Sequence, residues 1–180
     1  ADLVKLCNET AKASGFAGLR FVEGTIDSYD CSGADVVIAL HACDTATDDA
    51  IAKAVKAEAA LIVVAPCCHK QIRREIEKSG KSGKDNPLQF LMQYGTYVER
   101  VSEMVTDGMR AELMELSGYK VNLFEFISDT HTPKNVMITA VKQGIADKKA
   151  AALRSAINAT KAQFGISRHA LEDRLGVFGT

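Results

Sequence analysis

ADVVIALHACDTATDDAIAKAVKAEAALIVVAPCCHK, residues 34 to 70, decides the reading of the chain. Two apolar runs, residues 36 to 40 and 60 to 65, are each followed at once by side chains capable of chemistry. His41, Cys43, Asp44, Thr45, Thr47 and Asp48 follow the first run, and Cys67, Cys68 and His69 follow the second. One helix-length segment separates them. Strand, helix, strand is the crossover unit that makes a parallel pair. It brings both polar clusters to the carboxyl ends of neighbouring strands, where open α/β sheets bind ligands.

Upstream, residues 2 to 13 have helical period, with Leu3, Leu6, Cys7 and Ala11 on one face and Gly15 as the stop. Residues 19 to 26 (LRFVEGTI) read as a strand interrupted by Gly24, which marks a bulge, a close approach of backbone to a ligand, or simply a strand end. Residues 36 to 40 are apolar on both faces and read as a central strand. The next helix starts near residues 44 to 47, where Thr45 and Asp48 have capping-box spacing and Asp49 adds charge to the first turn. Its buried stripe is Ile51, Ala54 and Val55 and ends at Glu58.

Downstream, a strand over residues 61 to 65 is stopped by Pro66, and a short helix covers 72 to 78. Residues 79 to 86 (SGKSGKDN) form a loop. Helices follow over 88 to 94 and 97 to 116, the second with Val98, Val101, Met104, Met109, Leu113 and Leu116 inward, and Gly118 ends it. Residues 121 to 127 and 136 to 141 are strands whose connection has no room for a helix, so they pair antiparallel. An amphipathic helical tail covers 146 to 164 and 167 to 175. The expected fold is α/β: a mostly parallel sheet with a C-terminal antiparallel hairpin.

The chain has 180 residues, 47% hydrophobic and 25% charged, enough for one globular domain without a disulfide scaffold. A net charge of -1 gives no overall attraction for nucleic acid, so such a role needs a local patch. No apolar run is long enough to span a bilayer, and no secretory leader is visible. Five cysteines, two of them adjacent, are a poor secreted framework, so a reducing, cytoplasmic setting is expected. The chain opens at Ala1 in mid-helix, as expected of a piece cut from something longer.

Three readings of the cysteine cluster stand open. His41, Cys43, Cys67, Cys68 and His69 could ligate zinc, although adjacent cysteines do not easily point at one ion, and no metal is assigned on sequence. Pro66-Cys67 at a strand end resembles the Pro-Cys pair of cytosine C5 methylases, with a thiolate nucleophile activated by a nearby imidazolium. The cysteines could also be small buried apolar residues. His41, at a strand end and just before a helix, reads either as a buried, satisfied histidine or as a group placed to act as a general base. His131 and His169 read as solvated. Lys70, Arg73, Arg74, Lys78, Lys81 and Lys84 form a basic run that starts directly after the Cys-Cys-His strand end and could hold a phosphate backbone.

These motifs resemble a family. Leu40-His41-Ala42-Cys43, Ala46-Thr47-Asp48 and Cys67-Cys68-His69 are similar to the strand ends of S-adenosylmethionine-dependent methyltransferases with a Leu-His-x-Cys motif, grouped with tRNA ribose 2′-O-methylases and methyltransferase-like proteins. Asp44 stands where that pattern usually has glycine. The resemblance implies a Rossmann-like methyltransferase sheet, N-terminally truncated and lacking its first two strands. The partial core would run over residues 1 to 144, with a helical extension over 145 to 180. It implies S-adenosylmethionine as cofactor, held by Gly24, Thr25, Ile26, Leu40 and His41, and methyl transfer to RNA, with a fragment inactive by itself. Catalytic roles fall on His41 as first choice of base, His69 as second, Asp44 as an orienting group, and Cys67 and Cys68 at the substrate wall. The alternative is a degenerate methyltransferase fold that holds a partner or a metal.

Overall fold

A computed structural model describes residues 2–40, 42–79 and 87–178. The chain divides into two compact units, Ala1–Asp30 and Cys31–Thr180. The first contains helix α1 (Asp2–Ala13), ended at Gly15 with a φ of 80°. Leu3 and Leu6, expected on its packed face, are exposed, and Ala11 is its buried residue. The strand expected over residues 19 to 26 does not form. The Asn8 side chain takes the place of a partner strand: its Nδ2 donates to the Phe21 carbonyl at 2.9 Å, and the Phe21 N–H donates to its Oδ1 at 2.8 Å. A single amide satisfies one residue's backbone pair and cannot propagate a ladder.

The second unit holds a four-stranded sheet of β1 (Val36–Leu40), β2 (Leu61–Ala65), β3 (Tyr119–Glu125) and β4 (Val136–Lys142), in the order β1-β2-β4-β3. β1 and β2 pair in parallel through the crossover helix α2 (Thr45–Lys56). β3 and β4 form the expected antiparallel hairpin, and β4 also pairs antiparallel with β2. Three strands therefore point one way and β4 against them. Insertion of β4 between β2 and β3 makes two of the three ladders antiparallel, so the sheet is mixed rather than mostly parallel.

β1, expected in the centre, is an edge strand among the described residues. Its apolar alternation splits accordingly. Val37 and Ala39 pack against the core, whereas Val36, Ile38 and Leu40 lie on the opposite face, Ile38 with 61% exposure. Helices cover the first face. α2 lies against β1 and β2, and α5 (Gly95–Leu116) against β3 and β4, with α3 (Lys70–Lys78), α4 (Gln89–Met92) and α6 (Asp147–Phe164) packed on α5. Ile51, Ile62, Val64, Leu113, Ile138 and Ile157 are fully buried between these layers. Each such side chain contributes about 1.5–3 kcal/mol of transfer free energy.

The inward face of α5 is more polar than its apolar stripe suggested. Ser102, Thr106, Asp107 and Arg110 are buried with Val98, Met109 and Leu113, while Met104 is 74% exposed. Residues 98, 102, 106, 109 and 113 lie one turn apart, and position 104 is out of phase with them. Gly118 stops α5 with a φ of 91°, and its carbonyl accepts from Gly144 N–H at 2.7 Å, which ties the helix end to the end of β4.

The C-terminal residues belong to the second unit. α7 (Ala170–Leu175) packs on α2 and α5. Gln71 Nε2 donates to the Arg168 carbonyl at 2.8 Å, and Lys161 Nζ donates to Glu172 at 2.7 Å. The division into compact units thus falls at Asp30, and the extension over 145 to 178 shares the core of the sheet. Among the described residues no helix is long and apolar enough to cross a membrane.

His169, expected in solvent, is fully buried. It caps α7, its Nδ1 accepting from Leu171 N–H at 3.1 Å, and Nε2 has no partner among the described residues. Burial, above all, lowers its pKa to about 4; Asp48 and Asp173 oppose the shift, and Arg110 and Lys161 reinforce it. The unfolded chain takes up this proton near pH 6.5 and the folded chain only near 4, so its contribution to stability is whole above about 6.5 and is lost as pH falls. Urea unfolding should lose about 3 kcal/mol from this group between about pH 6.5 and 4. The slope over that window should flatten in His169→Asn.

Candidate functional site at the ends of β1 and β2

The two polar clusters are adjacent, as the crossover requires. Leu40 pairs with Ala65 in the last rung of the parallel ladder, and the two chains then turn into α2 and α3. Three groups of side chains arise there: a thiol cluster, a strained aspartate and a buried ionic network.

Cys43, Cys67 and Cys68 place their sulfurs within 4.8 Å of one another. Cys43 Sγ lies 3.5 Å from Cys67 Sγ, and Cys67 Sγ lies 3.8 Å from Cys68 Sγ. The adjacent cysteines therefore do point the same way. Cys43 is exposed, and Cys67 and Cys68 are half-buried. Burial pushes the Cys67 thiol up to about 12, with the neighbouring Cys43 and Cys68 thiols adding to the shift. That is the reverse of the activation a thiolate nucleophile needs. No imidazole joins the cluster among the described residues.

Asp44 has φ 53° and ψ -123°, a backbone conformation suited to glycine. Holding a side chain in so sparsely populated a region costs on the order of 1–3 kcal/mol. This is the position where the resembling family usually carries glycine. The Asp44 carboxylate is engaged: Oδ1 accepts from Gln71 N–H at 3.0 Å, in the first turn of α3. A carboxylate at a helix N-terminus meets free N–H groups and the positive end of the dipole. Asp44 thus fastens the start of α3.

The ionic network lies beneath. Arg110 of α5 is 1% exposed. Its Nε donates to Asp48 Oδ1 at 2.9 Å and its Nη2 to Asp48 Oδ2 at 3.0 Å, a bidentate fork. Nη1 donates to Asp107 Oδ1 at 3.1 Å, and Nη2 also reaches the Asp44 carbonyl at 3.0 Å. Burial works against the guanidinium charge, but Asp48 and Asp107 outweigh it and hold the pKa above its ordinary value. The expected Thr45–Asp48 capping box is absent because Asp48 is committed to Arg110; α2 has no side-chain cap bond. Thr47 Oγ1 instead donates to the Ala42 carbonyl.

His69 enters this network and leaves the thiols. Its Nε2 lies 3.1 Å from both Asp107 oxygens. A carboxylate only accepts here, so Nε2 carries the hydrogen, and in the neutral imidazole Nδ1 keeps its lone pair. Nδ1 is buried without a partner among the described residues. A carboxylate-held imidazole with one free nitrogen is the arrangement of an oriented proton acceptor.

His41 lies outside the described residues, as do Lys81 and Lys84 of the basic run. Lys70, Arg74 and Lys78 are exposed on α3, while Arg73 donates to Glu77 at 2.9 Å and to Glu99. Arg73, Arg100 and Lys134 also line a cleft of about 550 Å³ with Glu99 and Glu103. In the first unit, Thr25 N–H donates to Ser28 Oγ at 2.9 Å, and a Cβ on Gly24 would stand 2.8 Å from that oxygen. Asp107 and Arg110 are the residues of this network that motif reading passed over. Their signal was two charges at i and i+3 on the inward phase of a long helix.

Residues 1–75 match a family model described as a methyltransferase domain. The match covers α1, β1, α2, β2 and the first part of α3, so both strand ends fall inside it. It supports methyl transfer as the class of chemistry. No curated protein and no solved structure matches the chain.

Arg110→Met leaves Asp48 and Asp107 buried and uncompensated and should cost about 3–5 kcal/mol in urea unfolding at neutral pH. Arg110→Lys should recover little of it, because an ammonium cannot make the fork to Asp48 while also reaching Asp107.

Proposed function

We propose that this chain carries the acceptor-binding side of an S-adenosylmethionine-dependent methyltransferase acting on RNA. The observation that carries the reading is the coincidence of the matched residues 1–75 with a parallel strand pair at whose ends a buried imidazole is held by a carboxylate. When bound, S-adenosylmethionine supplies an electrophilic methyl group. Leu40, exposed and apolar at the end of β1, fits that cofactor as a wall. Gly24 and Ile26 are the residues the family resemblance assigns to adenine. Thr25 suits that role less well, since its amide is already donated to Ser28.

The chain's own residues hold the acceptor and take its proton. His69 Nδ1 is the proton acceptor for an oxygen nucleophile, with Asp107 as the positioning residue that fixes its tautomer. His41, the first choice of base on sequence and outside the described residues, remains the other candidate. Lys70, Arg74 and Lys78, exposed just beyond His69, supply the positive surface for a phosphate backbone. Arg73, spent on two glutamates, contributes less.

The test is transfer of labelled methyl from S-adenosylmethionine to cellular RNA by the full-length protein, with calorimetry of S-adenosylhomocysteine alongside. His69→Gln should lower kcat by about 10²–10⁴-fold with little change in cofactor affinity. Equal turnover in His69→Gln and loss in His41→Ala would move the base to His41. Absence of both transfer and cofactor binding would overturn the reading. Lys70→Glu with Arg74→Glu should raise the KM for RNA and flatten its salt dependence, leaving cofactor binding alone.

A further inference from the structure

We infer that Cys43, Cys67 and Cys68 form a three-thiolate site for a soft, closed-shell metal cation of the Zn(II) or Cu(I) kind. Three observations carry this. The first is the juxtaposition itself: three sulfurs from two chain segments converge within 4.8 Å, although Cys43 and Cys67 are 24 residues apart in sequence. A metal with bonds of about 2.3 Å to sulfur requires sulfur separations of roughly 3.8–4.0 Å in tetrahedral or trigonal geometry. Two of the three separations, 3.5 Å and 3.8 Å, match that within a few tenths of an ångström, and the third is within 4.8 Å.

The second observation is the donor set. Sulfur alone, with the neighbouring imidazole of His69 turned away to Asp107, selects thiophilic cations over magnesium or calcium. The third is the surroundings. Cys43 lies two residues before the start of α2, and Cys68 lies two residues before that of α3. A helix start, where dipoles favour negative charge, thus lies close in sequence to each of these two sulfurs. Cys43 is exposed, so the cluster has an entry path and room for a fourth ligand from solvent or substrate.

On binding, three metal–sulfur bonds form and three S–H bonds break, with the protons passing to buffer. No electron changes hands. The site is read without methyl transfer, so its failure and the failure of the methyltransferase reading are separable.

The experiment is titration of the fully reduced full chain with Zn(II), with Co(II) as spectroscopic stand-in, and with Cu(I) in a second arm. The expected result is one equivalent bound, with thiolate-to-cobalt charge-transfer bands in the ultraviolet and release of protons to buffer. Loss of a second-shell group commonly weakens a metal site about 10–100-fold, so loss of a sulfur ligand in Cys67→Ser should weaken it at least about 100-fold. Cys7→Ser and Cys31→Ser should bind as wild type. If Cys67→Ser fails to fold, Cys43→Ser, which changes an exposed thiol, carries the same expectation. Uptake in the Cu(I) arm alone identifies a trigonal occupant and upholds the site. No stoichiometric uptake in either arm by protein with its thiols reduced overturns it, as does affinity unchanged in both Cys67→Ser and Cys43→Ser.

Discussion

A guanidinium with almost no access to water sits between two carboxylates, and the second unit is arranged around that demand. Arg110 can be buried only if its donors are satisfied and its charge is opposed. Asp48 from α2 and Asp107 from α5 oppose it, and the Asp44 carbonyl takes a further hydrogen bond. These partners come from the first turn of α2, the junction before it and the middle of α5. The network therefore sets how the crossover helix sits against the longest helix. His69 is attached to the same Asp107, so the end of β2 is held in the same frame.

This frame explains the division of labour at the strand ends. His69 is drawn inward by Asp107, which leaves the sulfurs of Cys67 and Cys68 to face Cys43 among the described residues. Asp44 lies between the two groups. Its carbonyl serves Arg110 and its carboxylate serves α3, and the turn that permits both requires a glycine-like conformation. The side chain compensates for the strain of that conformation by capping a helix from across the site. A glycine there would relax the turn and give up the cap, so the aspartate exchanges local strain for a fastened α3.

The C-terminal helices complete the same core. α7 seals the far side of α2, and its cap, His169, is buried close enough to Asp48 and Arg110 for their charges to act on it. The opposite face of the sheet carries Val36, Ile38, Leu40 and Val141 in exposed positions. Within the second unit the sheet is thus helix-covered on one side, and chemistry-bearing residues gather at one end of the β1–β2 ladder.

The sequence by itself determined the elements near the site. Apolar β-branched runs, a helix-length spacer and a proline stop are local signals, and β1, α2 and β2 formed within a residue or two of them. The crossover then made Cys43 and Cys67 neighbours, because a parallel pair joined by one helix brings its carboxyl ends together. Tertiary structure decided what each polar residue does. Asp48 had capping-box spacing, but a buried arginine 62 residues away offered two hydrogen bonds and an opposite charge. His169 looked solvated in a polar stretch, yet the packing of α7 on α2 enclosed it. Residues 19 to 26 had strand composition and found one asparagine in place of a neighbouring strand. Propensity and periodicity act over a few residues, whereas desolvation, charge pairing and ladder completion depend on partners that only the folded chain brings near.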